Sequence, residues 1–64
     1  MNVFFYKDSA QNKCVATLVT DLLPKVGDYI KYAIADGPLW AVGQVKVIQW
    51  EVERGEAVVN IFLT

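Results

Sequence analysis

The sequence predicts an all-β fold: a small five-stranded antiparallel barrel or strongly bent sheet, built as one domain over residues 1–64. Two observations carry this. Apolar side chains come in short runs rich in β-branched and aromatic residues, several alternating from face to face, and no segment reads as a helix of consequence. Between the runs stand proline, glycine and aspartate in combinations that reverse the chain.

NVFFY, residues 2–6, predicts the first strand, and the polar KDSAQNK after it a wide hairpin loop. CVATLVT, residues 14–20, alternates Val15, Thr17 and Val19 with Ala16, Leu18 and Thr20, which favours a second strand over a helix. Asp21 to Pro24 predicts a single helical turn or an extended corner, because the residue before a proline is biased away from helical geometry. Pro24 lacks an amide donor, Gly27 tolerates a positive φ and Asp28 accepts from nearby amides, so the three predict a compact turn into a third strand over about residues 28–35. Asp36-Gly37-Pro38 predicts a tight reversal. In LWAVGQVKVIQW, residues 39–50, Trp40 and Val42 share a face while Val45 and Val47 have the opposite parity. A bulge at Gly43 is expected to bring both pairs to the core. EVERGEA reverses the chain around Gly55, and VVNIFLT closes it with Val59, Ile61 and Leu63 turned inward. Since sequential neighbours usually pair, a meander through strands two to five is the simplest topology, curled because an open sheet leaves its edges unpaired.

LPKVGDYIKY, followed by WAVGQV and then VVNIFL, resembles the pattern of small uncharacterised bacterial and phage proteins with an SH3-like barrel. In those a Pro-x-x-Gly-Asp turn leads into an apolar strand, then an aromatic-x-Val-x-x-Val strand, then a closing strand. Pro24, Gly27, Asp28, Trp40, Val42, Val45, Val59 and Ile61 match, within about residues 23–63. The resemblance implies an SH3-like barrel. It carries over no functional residue, since the matching positions are those a barrel needs for folding.

A 64-residue chain buries a modest share of its surface, and the usual supports are missing: Cys14 is the single cysteine and there is no histidine. Self-association is the support that remains. Apolar residues make up 55% of the chain, against roughly 45–50% of an average domain, a surplus that favours an apolar exterior. Six basic residues face seven acidic ones with no basic stripe, so nucleic-acid binding is not expected. The acidic excess sits late, at Asp36, Glu51, Glu53 and Glu56. No leader pattern and no membrane-length apolar stretch is seen, and a lone thiol suits a reducing interior. A cytoplasmic protein is expected, in its own cell or in the cytoplasm of an infected host.

Candidate chemistry is mostly excluded. Without histidine there is no Ser-His or Cys-His nucleophile, and Ser9 has no base beside it. Cys14 reads as a small core residue on a strand. The late carboxylates cluster at turns, where a solvated surface is expected rather than an acid–base pair or a cation site. Gly27, Gly37, Gly43 and Gly55 make no phosphate-binding pattern. The expectation is a protein without catalysis, metal or cofactor.

The aromatic residues are the better clue. Adjacent strand positions point to opposite sides, so one of Phe4 and Phe5 is expected to leave the core. Tyr29, Trp50 and Phe62 also have the parity opposite to the expected core. Phe5, Tyr29, Trp50 and Phe62 are therefore the interface candidates, with burial under a second layer or within the bent barrel as the alternative. Three functions are consistent with this. The leading one is a non-catalytic protein-binding module that acts as an oligomer, in a specific form a phage accessory factor that inhibits a host defence protein. A second is a small-ligand binder that sequesters a nucleotide in a pocket at the subunit junction, built from Tyr29, Trp50 and backbone amides. The third is a structural subunit of a larger assembly.

Overall fold

A computed structural model describes residues 1–7, 13–34 and 38–64. Five strands account for the regular structure: β1 (Asn2–Lys7), β2 (Cys14–Val19), β3 (Tyr29–Ala33), β4 (Trp40–Glu53) and β5 (Glu56–Leu63). They form one sheet in the order β2-β1-β5-β4-β3, and its two ends approach each other, so that the sheet is nearly closed into a barrel. No helix is long and apolar enough to cross a membrane among the described residues. Asp21 to Pro24 is an extended corner, with the Leu22 amide donating to Thr20 Oγ1 at 3.0 Å.

The topology corrects the expected meander. It holds through β3, β4 and β5, but β2 folds back on β1, and β1 runs parallel to β5, which makes the sheet mixed rather than wholly antiparallel. The reason lies in the composition of the strands. NVFFY and VVNIFL are apolar on both faces, as strands in the middle of a sheet are, whereas β2 and β3, with most of their residues exposed, stand at the edges.

The register assigns the faces. Directly opposed residues share a side, so Leu18, Val3, Val59 and Trp50 form one row across β2, β1, β5 and β4 on the inner face. Ala16, Phe5, Ile61 and Ile48 form the next. Val3, Phe5, Tyr32, Val45, Val59, Ile61 and Leu63 are the buried core. Trp40 and Val42, expected inside, both face outward, and Trp40 is 58% exposed; Ala41, Gly43 and Val45 turn inward instead.

The expected bulge exists, but at Lys46. Val45 opposes Leu63 and Val47 opposes Phe62, so one extra residue stands on β4, and the parity of everything after it shifts. Gly43 has a different task. A Cβ there would lie 2.8 Å from Leu63 Cβ and 3.2 Å from the Thr64 carbonyl, so β4 can cross the end of β5 only without a side chain at this point. From Trp40 to Gln44 β4 pairs with β3, and from Val45 onward with β5.

Two turns follow the chemistry read from the chain. The Asp28 amide donates to the Lys25 carbonyl at 3.0 Å around Gly27 at φ 98°, a type II arrangement, and the Asp28 carboxylate accepts from the Lys25 amide at 2.9 Å. Gly27 and Val45 amides then donate to the Val45 and Asp28 carbonyls at 2.9 and 2.8 Å, which ties the turn to β4. The second reversal is tighter than EVERGEA suggests. Glu53 opposes Glu56 across Arg54 and Gly55, both with positive φ, the two-residue turn that matches strand twist. The predicted Asp36-Gly37-Pro38 turn and most of the first hairpin loop lie outside the described residues.

Candidate interaction surface

The outer face of β1, β5 and β4 is built from the residues that alternate with the core. Cys14, Tyr6, Phe62 and Val47 make one row across the four strands. Thr17, Phe4, Asn60 and Gln49 make the middle row, and Val19, Asn2, Val58 and Glu51 the last. The Tyr6 and Phe62 rings stack with centroids 5.4 Å apart and planes inclined by 23°. Phe4 and Val58 are half-buried, and Val47 is 46% exposed. Asn60 sits among them at 5% exposure and donates from Nδ2 to Glu51 Oε1 at 2.6 Å, the bond that lets an amide be buried there.

Two other apolar surfaces are exposed. On the outer side of β3 and β4, Lys31 Nζ lies 5.3 Å from the ring centroid of Trp40, beside Val42 and Tyr29. At the far end of the molecule the β4–β5 hairpin carries Trp50 and Val52 on the inner side, Trp50 at 50% exposure.

The structure disperses the four residues nominated from sequence. Phe5 is 4% exposed and packs in the core opposite Ile61, so Phe4, and not Phe5, leaves for the outer face. Tyr29 is exposed on the outer side of β3. Trp50 has the parity of the core, because the bulge at Lys46 shifts it, and is left open where the hairpin carries it toward the end of the sheet. Phe62 alone belongs to the β1–β5–β4 face. Tyr29 pairs with Gln44, six residues along β4 from Trp50, roughly 20 Å at a strand rise of about 3.3 Å per residue, so one chain cannot close a pocket with both. Cys14 is exposed on an edge strand, not buried as expected, because it opposes Tyr6 on the outer face. Tyr6, Val47 and Asn60 were missed; the shared parity of Phe4 and Tyr6 was the signal for the first.

A shallow depression along the hairpin is lined by Glu51, Val52, Glu53, Arg54, Glu56 and Val58. Three carboxylates against one guanidinium give it the wrong sign for a phosphate. Among the described residues no group of three His, Cys, Asp or Glu side chains is arranged to hold a metal ion. No family model matches the chain, and no curated protein or solved structure matches it either.

Proposed function

We propose that this is a non-catalytic protein-binding module that associates with itself through an apolar outer sheet face. One observation carries the reading: β5, the central strand, and its neighbour β1 present Phe4, Tyr6, Val58 and Phe62 outward while their alternate residues already fill the core. A chain this small has little other means of withdrawing so much apolar surface from water. The rigid aromatic pair is suited to an interface, since it buries area at low rotamer cost. A nucleotide-sequestering role has less support, because the hairpin depression is acidic.

Amide chemical shifts followed on dilution test the reading and locate the surface together. Resonances of Tyr6, Val47 and Phe62 are expected to move with concentration while that of buried Tyr32 stays fixed. Spectra identical at every concentration would contradict self-association. Shifts gathered instead at Tyr29, Trp40 and Val42 would move the interface to the outer side of β3.

A further inference from the structure

Beyond the self-association just described, we propose that the free edge of β4 over residues 48–52 takes an extended segment of a partner protein as a sixth strand, one that alternates apolar side chains with lysine or arginine. The proposal stands on the backbone of β4 together with the charge around it.

β4 is an interior strand along only part of its length. Residues 40–44 pair with β3, and on the same edge the Val45 amide and carbonyl are taken by Asp28 and Gly27. From Val47 onward, among the described residues, β5 is the one strand that pairs with it. The two-residue turn at Arg54 and Gly55 fixes how each peptide group points. Glu53 and Glu56 flank that turn as a hydrogen-bonded pair, so by alternation Glu51, Gln49 and Val47 also bond to β5. The amides and carbonyls of Ile48, Trp50 and Val52 point to the other edge. No turn or loop backbone group among the described residues bonds to them there.

The side chains suit an added strand. Sheet edges are ordinarily blunted by an inward charge, a proline or a cover, yet residues 47–53 contain no proline, and Ile48, Trp50 and Val52, which face inward, carry no charge. Val52 is 71% exposed and Trp50 half-exposed, so apolar residues arriving beside them would withdraw both from water. On the outer side the same run carries Glu51 and Glu53, with Glu56 directly opposite Glu53. Like charges facing each other across two strands destabilise a sheet, so this pair favours a cationic neighbour. Arg54 at the turn leaves the run acidic. Running antiparallel to β4, the partner segment places a basic residue opposite Glu53, an apolar one opposite Val52 and a basic one opposite Glu51, then apolar ones opposite Trp50 and Ile48. A second copy of β4 fits this edge less well, because pairing it antiparallel about Trp50 sets the two Glu51 side chains diagonally on one face.

Titration of the natural chain with the capped peptide Lys-Val-Lys-Val-Thr-Val, followed by amide chemical shifts and hydrogen exchange, tests the proposal. Its valines are set to pair in turn with Val52, Trp50 and Ile48. At saturation, exchange of the Ile48, Trp50 and Val52 amides is expected to slow roughly tenfold or more, while the Tyr29 and Trp40 amides do not move. A methyl group on the nitrogen of the central valine, opposite Trp50, removes a strand bond and is expected to weaken binding roughly tenfold. The same group on the threonine nitrogen, which points away from β4, is expected to leave the affinity unchanged. Glu-Val-Glu-Val-Thr-Val is expected to bind roughly tenfold more weakly than the lysine peptide, and Glu53→Lys, at an exposed position, to narrow that difference. No slowing at the edge amides, equal losses from the two methylations, or equal affinity for the two peptides would each overturn the proposal. Edge amides that slow with protein concentration alone would give the edge to a second copy, and would overturn it as well.

Discussion

Gly43, Arg54 and the Asn60–Glu51 pair are the single residues on which the fold leans most. Gly43→Ala places a Cβ against Leu63 and the Thr64 carbonyl where the backbone of two strands leaves no room. Overpacking of this kind costs about 1–3 kcal/mol, and urea denaturation is expected to show a loss at the upper end of that range. Arg54 sits at φ 52°, a conformation that asparagine tolerates better than a long side chain does. Arg54→Asn is therefore expected to raise stability by about 0.5–1 kcal/mol, read from the denaturation midpoint; a lower midpoint would show that the guanidinium makes a contact worth more than the strain. Glu51 is exposed and Asn60 buried, so the two truncations are unequal. Glu51→Ala strands an amide inside the face and is expected to cost about 1–3 kcal/mol, whereas Glu51→Gln, which keeps the acceptor oxygen, is expected to cost less than half as much.

At the scale of the strand, the bulge decides which side of β4 meets the core. If Lys46 stood in regular alternation instead of in a bulge, either Ala41, Gly43 and Val45 or Ile48 and Trp50 would have to turn outward, because side chains alternate strictly along an unbulged strand. Deletion of Lys46 removes the one extra residue and leaves those five positions on one side, so a cooperative thermal transition followed by circular dichroism is expected to survive it, whereas an added residue beside Lys46, which shifts the parity again, is expected to abolish that transition. The same element marks the limit of what the chain discloses about itself. The turn at Lys25–Asp28 was legible because its chemistry is local: a proline, a glycine and a carboxylate within five residues account for every bond in it. The reversal at Gly55 was legible for the same reason. The bulge was placed at Gly43 because glycine permits one, but its position is set by pairing with Phe62 and Leu63, and the need for glycine comes from Leu63, twenty residues away. That displacement also explains the misread faces of Trp40, Val42 and Trp50. Phe5 was assigned outward on the same footing, since only the pairing of β1 with β5 shows that Val3 and Phe5, and not Phe4, share the inner rows with Val59 and Ile61.

For the whole molecule, the nearly closed five-stranded sheet solves one problem and leaves another. Curling brings the edge strands β2 and β3 near each other and gathers seven apolar side chains into a core. It leaves outward the alternate residues of two strands that are apolar on both faces, with the aromatic stack of Tyr6 on Phe62 among them. Self-association through that face is the central claim, and the mass of the natural protein across a concentration series, by light scattering coupled to gel filtration, tests it most directly. The predicted result is a mass that rises from one chain toward two as the concentration rises. A mass of one chain at every concentration, at low salt as at high, would contradict it.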